Sequence, residues 1–348
     1  MAPAQILFAF DSWKTSATAV ELCEAAMSAT DAQWTARSHP ISDGGDGFTE
    51  VITTAREVNR WIETTVPNAL GQACRTRIPL FAYQGEVVAL VESAQACGLA
   101  GVGGAEHNDP LGANTRGVGE MILAARDGGA QRIIIGCGGT ASTDGGWGAV
   151  ELLQHEDLKQ VDLRVAVDVE TRFSDAARKF GAQKGAKAED LIALSQRLSL
   201  LAMDYAEAYA SPVDRIPGSG AGGGLAGGLA ALGAKIIPGF DIMAELTHLD
   251  RDLEGLDLLV SGEGRLDATS LEGKALISLF DRAAKDLQLA VIAAHIDQTT
   301  ATAFMERYGP RISFVDCSAI RGEAHCLDKA LESMAEGLQG LLKSGVLP

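Results

Sequence analysis

Cysteine pairs at metal-ligating or redox spacing are missing. The six cysteines (Cys23, Cys74, Cys97, Cys137, Cys317 and Cys326) form no CxxC and show no disulfide-like density, which predicts reduced thiols. No apolar run approaches the ~20 residues of a membrane-spanning helix. The chain also enters the apolar stretch Ile6-Leu7-Phe8-Ala9-Phe10 without a basic leader, so a cytoplasmic protein with no membrane partner is expected. Basic charge is scarce: 29 Lys and Arg stand against 46 Asp and Glu, a net charge of −17. The cationic footprint that neutralises nucleic-acid phosphates is therefore absent, and no nucleic-acid partner is expected. A small anionic ligand is compatible with this balance if a few placed Lys, Arg or backbone N–H groups hold it. The six histidines show no HxxH or HExxH spacing and there is no GxSxG elbow, which removes support for zinc-peptidase and serine-hydrolase chemistry.

What the chain has in excess is glycine, 40 of 348 residues, gathered in blocks within an otherwise ordinary composition of 47% hydrophobic and 22% charged residues. Clustered glycines signal special backbone, and this length predicts two domains. Short apolar runs ending in Gly or Asp alternate with helical periodicity, the pattern of βα units. Ile6 to Phe10, Arg132 to Gly136, Leu163 to Val167, Leu258 to Ser261, Ala290 to Ala294 and Ile312 to Val315 are the expected strands. Thr18 and Glu21 have capping-box spacing ahead of a helix whose Val20, Cys23 and Met27 share a face. Leu191, Leu194, Leu198 and Leu201 form one further core stripe, and Leu327, Leu331, Met334, Leu338 and Leu341 another. Residues 61–92, broken at Pro67, Gly71 and Gly85, read instead as antiparallel strands. The expected fold is α/β, with two three-layer α/β domains, one on a doubly wound parallel sheet and one on a mixed sheet, and a ligand cleft between them. Residues 1–66 with 286–348 are expected to form the doubly wound domain and 67–285 the inserted mixed one.

Ligands of open α/β sheets bind beyond the carboxyl ends of strands, and that is where the glycine and acid loops fall. Ser12 and Lys14 lie between the first strand and its helix, where N–H groups and a lysine can hold an anion. Asp43-Gly44-Gly45-Asp46-Gly47 brings two carboxylates together, an arrangement that Mg²⁺ bridging to phosphates can compensate and that a plain tight turn also explains. The loop from Gly136 through Gly138, Gly139, Thr140 and Asp144 to Gly146 looks like a phosphate cradle, although it is neither GxGxxG nor a Walker motif. The glycine run at 218–228 fits close helix packing slightly better than ligand binding. Glu263, Arg265 and Asp267 follow a strand, so Arg265 can bind a carboxylate or phosphate or be neutralised by its neighbours. Asp168 ends another strand, and Lys184 sits between glycines.

Taken in order, these loops resemble the type 1 glycerate kinase family. Its PDSFK, DGGEG, EMA-type helix start, GGSATNDGG, DVxNPL, FGPQKGA, GAAGG and GEGRxDxQ segments are matched at residues 10–14, 43–47, 92–99, 138–146, 168–173, 180–186, 220–224 and 262–267. The resemblance implies ATP-dependent, Mg²⁺-assisted phosphorylation of D-glycerate in most relatives at the 2-hydroxyl. It implies Asp43 or Asp168 as base on the hydroxyl or as Mg²⁺ ligand, with Asp46 beside Asp43 at the metal. Lys14, Lys184 and Arg265 would balance carboxylate and phosphate charge, and Ser12, Gly138, Gly139, Thr140, Asp144, Glu263 and Asp267 would complete the substrate and nucleotide sites. A homodimer is a further expectation. The sequence departs from the pattern at Phe10, Trp13, Thr143, Thr171-Arg172, Ala182 and Thr269, and only about a dozen residues separate Val150 from Leu163. Those departures keep a second expectation open, a catalytically impaired homologue that binds nucleotide or organic acid in a regulatory role.

Overall fold

The structure, a computed structural model, describes residues 3–13, 16–45, 47–271 and 275–344. Its contacts divide the chain into two compact units, Met1–Asp43 with Met243–Pro348, and Gly44–Ile242.

The unit formed by the chain ends carries a five-stranded, wholly parallel sheet in the order Ile312–Asp316, Gln288–Ala293, Leu258–Ser261, Ala4–Phe8, Trp34–Ser38. Ala4–Phe8 starts near the middle and the chain winds out to both edges, the doubly wound arrangement. Burial on both faces explains why its inner strands are apolar without alternation: Ile6, Leu7, Phe8, Leu258, Leu259 and Val260 are fully buried. The helix Ala19–Ser28 begins with the expected capping box, Glu21 N–H donating to Thr18 Oγ1 at 3.2 Å and Thr18 N–H to Glu21 Oε2 at 2.9 Å. Its buried face is Ala19, Leu22, Cys23 and Ala26, against Met334, Leu338 and Leu341 of the helix Ala330–Lys343. Met27 and Leu331, expected on those faces, are exposed. The expected stripes are thus rotated slightly from the true ones, because small alanines complete the contact.

The inserted unit holds a six-stranded mixed sheet in the order Arg60–Pro67, Ala73–Tyr83, Glu86–Glu92, Arg132–Gly136, Asp162–Val167, Lys235–Pro238. The first two pairings are antiparallel and the others parallel. Gln84 and Gly85, at φ 52° and 84°, form the two-residue hairpin between Tyr83 and Glu86. In the long helix Ala188–Tyr209, Leu194 and Leu198 pack on Phe173 and Val213.

The division corrects the expected cuts at 66/67 and 285/286. Arg60–Pro67 pairs along its whole length with Ala73–Tyr83, so the inserted unit begins earlier. Leu258–Ser261 pairs with Ala4–Phe8 and Gln288–Ala293, so the chain has returned to the terminal sheet well before 286.

Candidate active site

Within the inserted unit, Arg132–Gly136 and Asp162–Val167 are parallel neighbours with Gly136 opposite Ala166. Their carboxyl ends therefore deliver the loop at 137–146 and Asp168 to one edge of the sheet. A pocket of about 460 Å³ opens there, lined by Gly138, Gly139, Thr140, Asp168 and Lys184, with Cys137, Phe180, Gln183, Gly222 and Gly223 among its other walls. Five of the expected site residues thus share one cavity.

Lys184 is the buried cation of this pocket, 4% exposed. A single 3₁₀ turn, Ala182–Lys184, carries it, and Gly185 at φ 90° ends the turn. Its Nζ donates to the Ser142 carbonyl at 2.6 Å and to Thr140 Oγ1 at 3.1 Å. An ammonium has three N–H groups, so one is left for a ligand. Asn108 fastens the same corner, its Nδ2 donating to the carbonyls of Lys184 at 2.9 Å and Ala141 at 3.1 Å. Burial pushes the thiol of Cys137 well above its ordinary pKa, so it lines the pocket as a neutral group and not as a nucleophile.

The glycine run serves both packing and the pocket. A Cβ on Gly223, at φ 68°, would lie 2.0 Å from the Ser142 carbonyl oxygen, so only glycine lets this strand of backbone touch the loop. Farther along, a Cβ on Gly227 would meet the Phe173 ring at 2.3 Å.

Asp144 has a different task. It is buried, and its carboxylate accepts from Thr115 N–H at 2.9 Å, Thr115 Oγ1 at 2.8 Å, Gly146 N–H at 3.1 Å and Gly148 N–H at 3.0 Å. It ties the loop to the start of the helix Trp147–Leu153 and does not line the pocket of Lys184.

The terminal unit holds Ser12, Asp43, Glu263, Arg265 and Asp267 beyond the carboxyl ends of its own strands. Ser12 donates its N–H to Asp11 Oδ1 at 2.7 Å, and Asp43 opens the turn that ends this part of the chain. Arg265 is largely exposed and pairs with Glu323 of the helix Glu323–Asp328, its Nε 2.9 Å from Glu323 Oε1. Asp267 accepts from Thr269 N–H and Oγ1, each at 2.8 Å, and Glu263 lies just beyond Leu258–Ser261. Lys14 and Asp46 lie outside the described residues.

The sequence model of the Glycerate kinase family matches residues 6–155 and 151–344. The chain belongs to the glycerate kinase family. It is 34% identical over 325 residues to the glycerate kinase of Bacillus subtilis (strain 168), an alignment covering 83% of this chain and 84% of that one. It is 33% identical over 323 residues to the glycerate 2-kinase of Escherichia coli (strain K12), covering 81% and 82%. The crystal structure of a candidate glycerate kinase 2 from Salmonella typhimurium LT2 superposes with a TM-score of 0.75 at 27% identity, covering 98% of this chain and 99% of that one. The two matched segments meet at 151–155, at the end of the helix Trp147–Leu153.

In this glycerate kinase family member, the altered amide positions have different surroundings. Thr269 closes a turn on Asp267, and Thr143 is buried in the loop. Thr171 Oγ1 is a buried hydroxyl with no hydrogen-bond partner among the described residues, and its backbone carbonyl accepts from Gly220 N–H at 2.9 Å.

Electrostatics set the pocket's working range. Burial lowers the pKa of Lys184 from 10.5 to about 8, while the Asp144 carboxylate pulls it back upward. The cation is present below that value and lost above it. If Lys184 holds an anionic substrate, kcat/KM falls about tenfold per pH unit above about pH 8. A pH–rate profile of the free enzyme checks this, and a flat profile to pH 9.5 or so would separate Lys184 from substrate binding.

Proposed function

We propose that this protein transfers the γ-phosphoryl group of ATP to D-glycerate, with the 2-hydroxyl as acceptor and Mg²⁺ as the bridging cation. The observation that carries this reading is the pocket in which buried Lys184, held on Thr140 and Ser142, stands with Asp168 among glycine backbone. Phosphoryl transfer asks a protein mainly to position reactants and balance charge, and this pocket supplies those means.

In this account Lys184 and the backbone N–H groups of Gly138 and Gly139 hold an anionic oxygen. Asp168 takes the proton of the attacking hydroxyl as its oxygen bonds to the γ-phosphorus, and the bond to the β-phosphate oxygen breaks to release ADP. Among the described residues no three His, Cys, Asp or Glu converge on a metal position. Mg²⁺ needs only one or two carboxylates alongside substrate phosphates, and the oxygen donors of Asp43, with Asp46 beside it in sequence, have the chemistry for it. When bound, that ion neutralises charge developing on the phosphates.

The name glycerate 2-kinase belongs to the Escherichia coli relative, and it supports the choice of hydroxyl here. Phosphorus NMR of the product of ATP, Mg²⁺ and D-glycerate tests that choice, with 2-phosphoglycerate expected and 3-phosphoglycerate contradicting it. Binding of both ligands with no ADP formed would favour the regulatory homologue.

A further inference from the structure

A second cavity of about 450 Å³ lies in the same unit and shares no lining residue with the pocket of Lys184. That is an ordinary size for a small-molecule site. Its apolar walls are Leu111, Trp147 and Leu201, and two of these are partly open to solvent: Trp147 is 41% and Leu111 38% exposed.

The polar groups around it separate into satisfied and unsatisfied. Arg116 pairs with Glu120 at 3.3 Å, and Asp144 is saturated by the four donors already described. Asn114 accepts from Arg116 N–H at 3.0 Å and donates to the Ala69 carbonyl. Arg197 is aimed by a single bond from Nη1 to the Leu111 carbonyl at 2.9 Å, and no carboxylate pairs with it among the described residues. Glu151 lines the cavity with its carboxylate unpaired among those residues as well. In a chain of net charge −17, an unneutralised guanidinium beside a bare indole is an anion site with an apolar floor. The exposed carboxylate of Glu151 in the same cavity offers a partner to a cationic group.

We propose that this cavity is a second ligand site, for a free α-amino acid with a large apolar side chain. The ligand's carboxylate meets Arg197, its ammonium meets Glu151, and its side chain covers Trp147, Leu111 and Leu201. Each charged end then gains a partner that the protein leaves without one, and the indole and leucines lose exposed area to the apolar body.

Calorimetric titration of the intact protein with L-phenylalanine, 3-phenylpropionate and 2-phenylethylamine tests this with no ATP or glycerate present, so its outcome is independent of the kinase reading. Phenylalanine is expected to saturate one site, and each singly charged analogue to bind about tenfold or more weakly. Arg197→Gln should weaken phenylalanine by a similar factor and leave phenylethylamine unchanged, and Glu151→Gln should leave phenylpropionate unchanged while weakening phenylalanine. If Arg197→Gln lowers the melting temperature, exposed Glu151 carries the test alone. Absence of saturation by phenylalanine, equal binding of all three probes, or full phenylalanine affinity in Glu151→Gln would overturn the proposal.

Discussion

Lys184→Met is expected to lower kcat/KM for D-glycerate by ~10²–10³-fold, the range seen when one preorganised donor to a developing charge is removed. The melting temperature should stay the same or rise. The two effects part because the lysine is buried: its charge has been taken out of water against only a hydroxyl and a carbonyl, at 3.1 and 2.6 Å. Removing a desolvated cation and keeping an apolar stem of similar volume relieves that cost. The pocket loses the charge that would hold an anion and keeps its shape. A variant with more than about a third of the wild-type kcat/KM would show that Lys184 is a structural strut. A variant that loses activity only by unfolding would show the same, which makes the melting curve a required companion to the kinetics.

Asp144→Ala is expected to have the opposite balance, a stability loss of ~3–5 kcal/mol. Its carboxylate is buried and accepts four hydrogen bonds from three residues, Thr115, Gly146 and Gly148. Alanine would leave those donors buried without partners, and the loop would lose its tie to the helix Trp147–Leu153. Urea unfolding measures this directly. A loss below ~1 kcal/mol would mean that water or a shifted loop replaces the carboxylate. Activity should fall as well, because Thr140 sits at the other end of the same loop.

These two residues mark what the sequence could and could not disclose. Lys184 and Asp168 are legible as polar residues at strand or glycine punctuation, and the cavity at 138–140 follows from an apolar strand running into glycines. The purpose of Asp144 is not legible, since its main partner Thr115 lies on a separate loop and a buried structural acid looks in sequence like a ligand. Asn108 goes unnoticed for a related reason: it grips backbone carbonyls, which carry no residue signature.

In the fold, local chemistry reads well. The capping box at Thr18 and Glu21 and the hairpin at Gly85 are settled by neighbours a few residues apart. The unit boundaries are settled by the pairing of Leu258–Ser261 with Ala4–Phe8, a contact between distant parts of the chain that no local pattern encodes. Arg265 illustrates the same limit. Its acidic sequence neighbours leave anion binding and self-neutralisation both open, and the partner the structure supplies is Glu323, 58 residues away.

The central claim is phosphoryl transfer from ATP to D-glycerate, and a coupled assay of ADP release with Mg²⁺ tests it most directly. Glycerate-dependent ADP formation, matched mole for mole by phosphoglycerate and lowered ~10²–10³-fold in Lys184→Met, is the predicted result. A folded protein that binds ATP and glycerate yet forms no ADP with glycerate or any related hydroxy acid would contradict it.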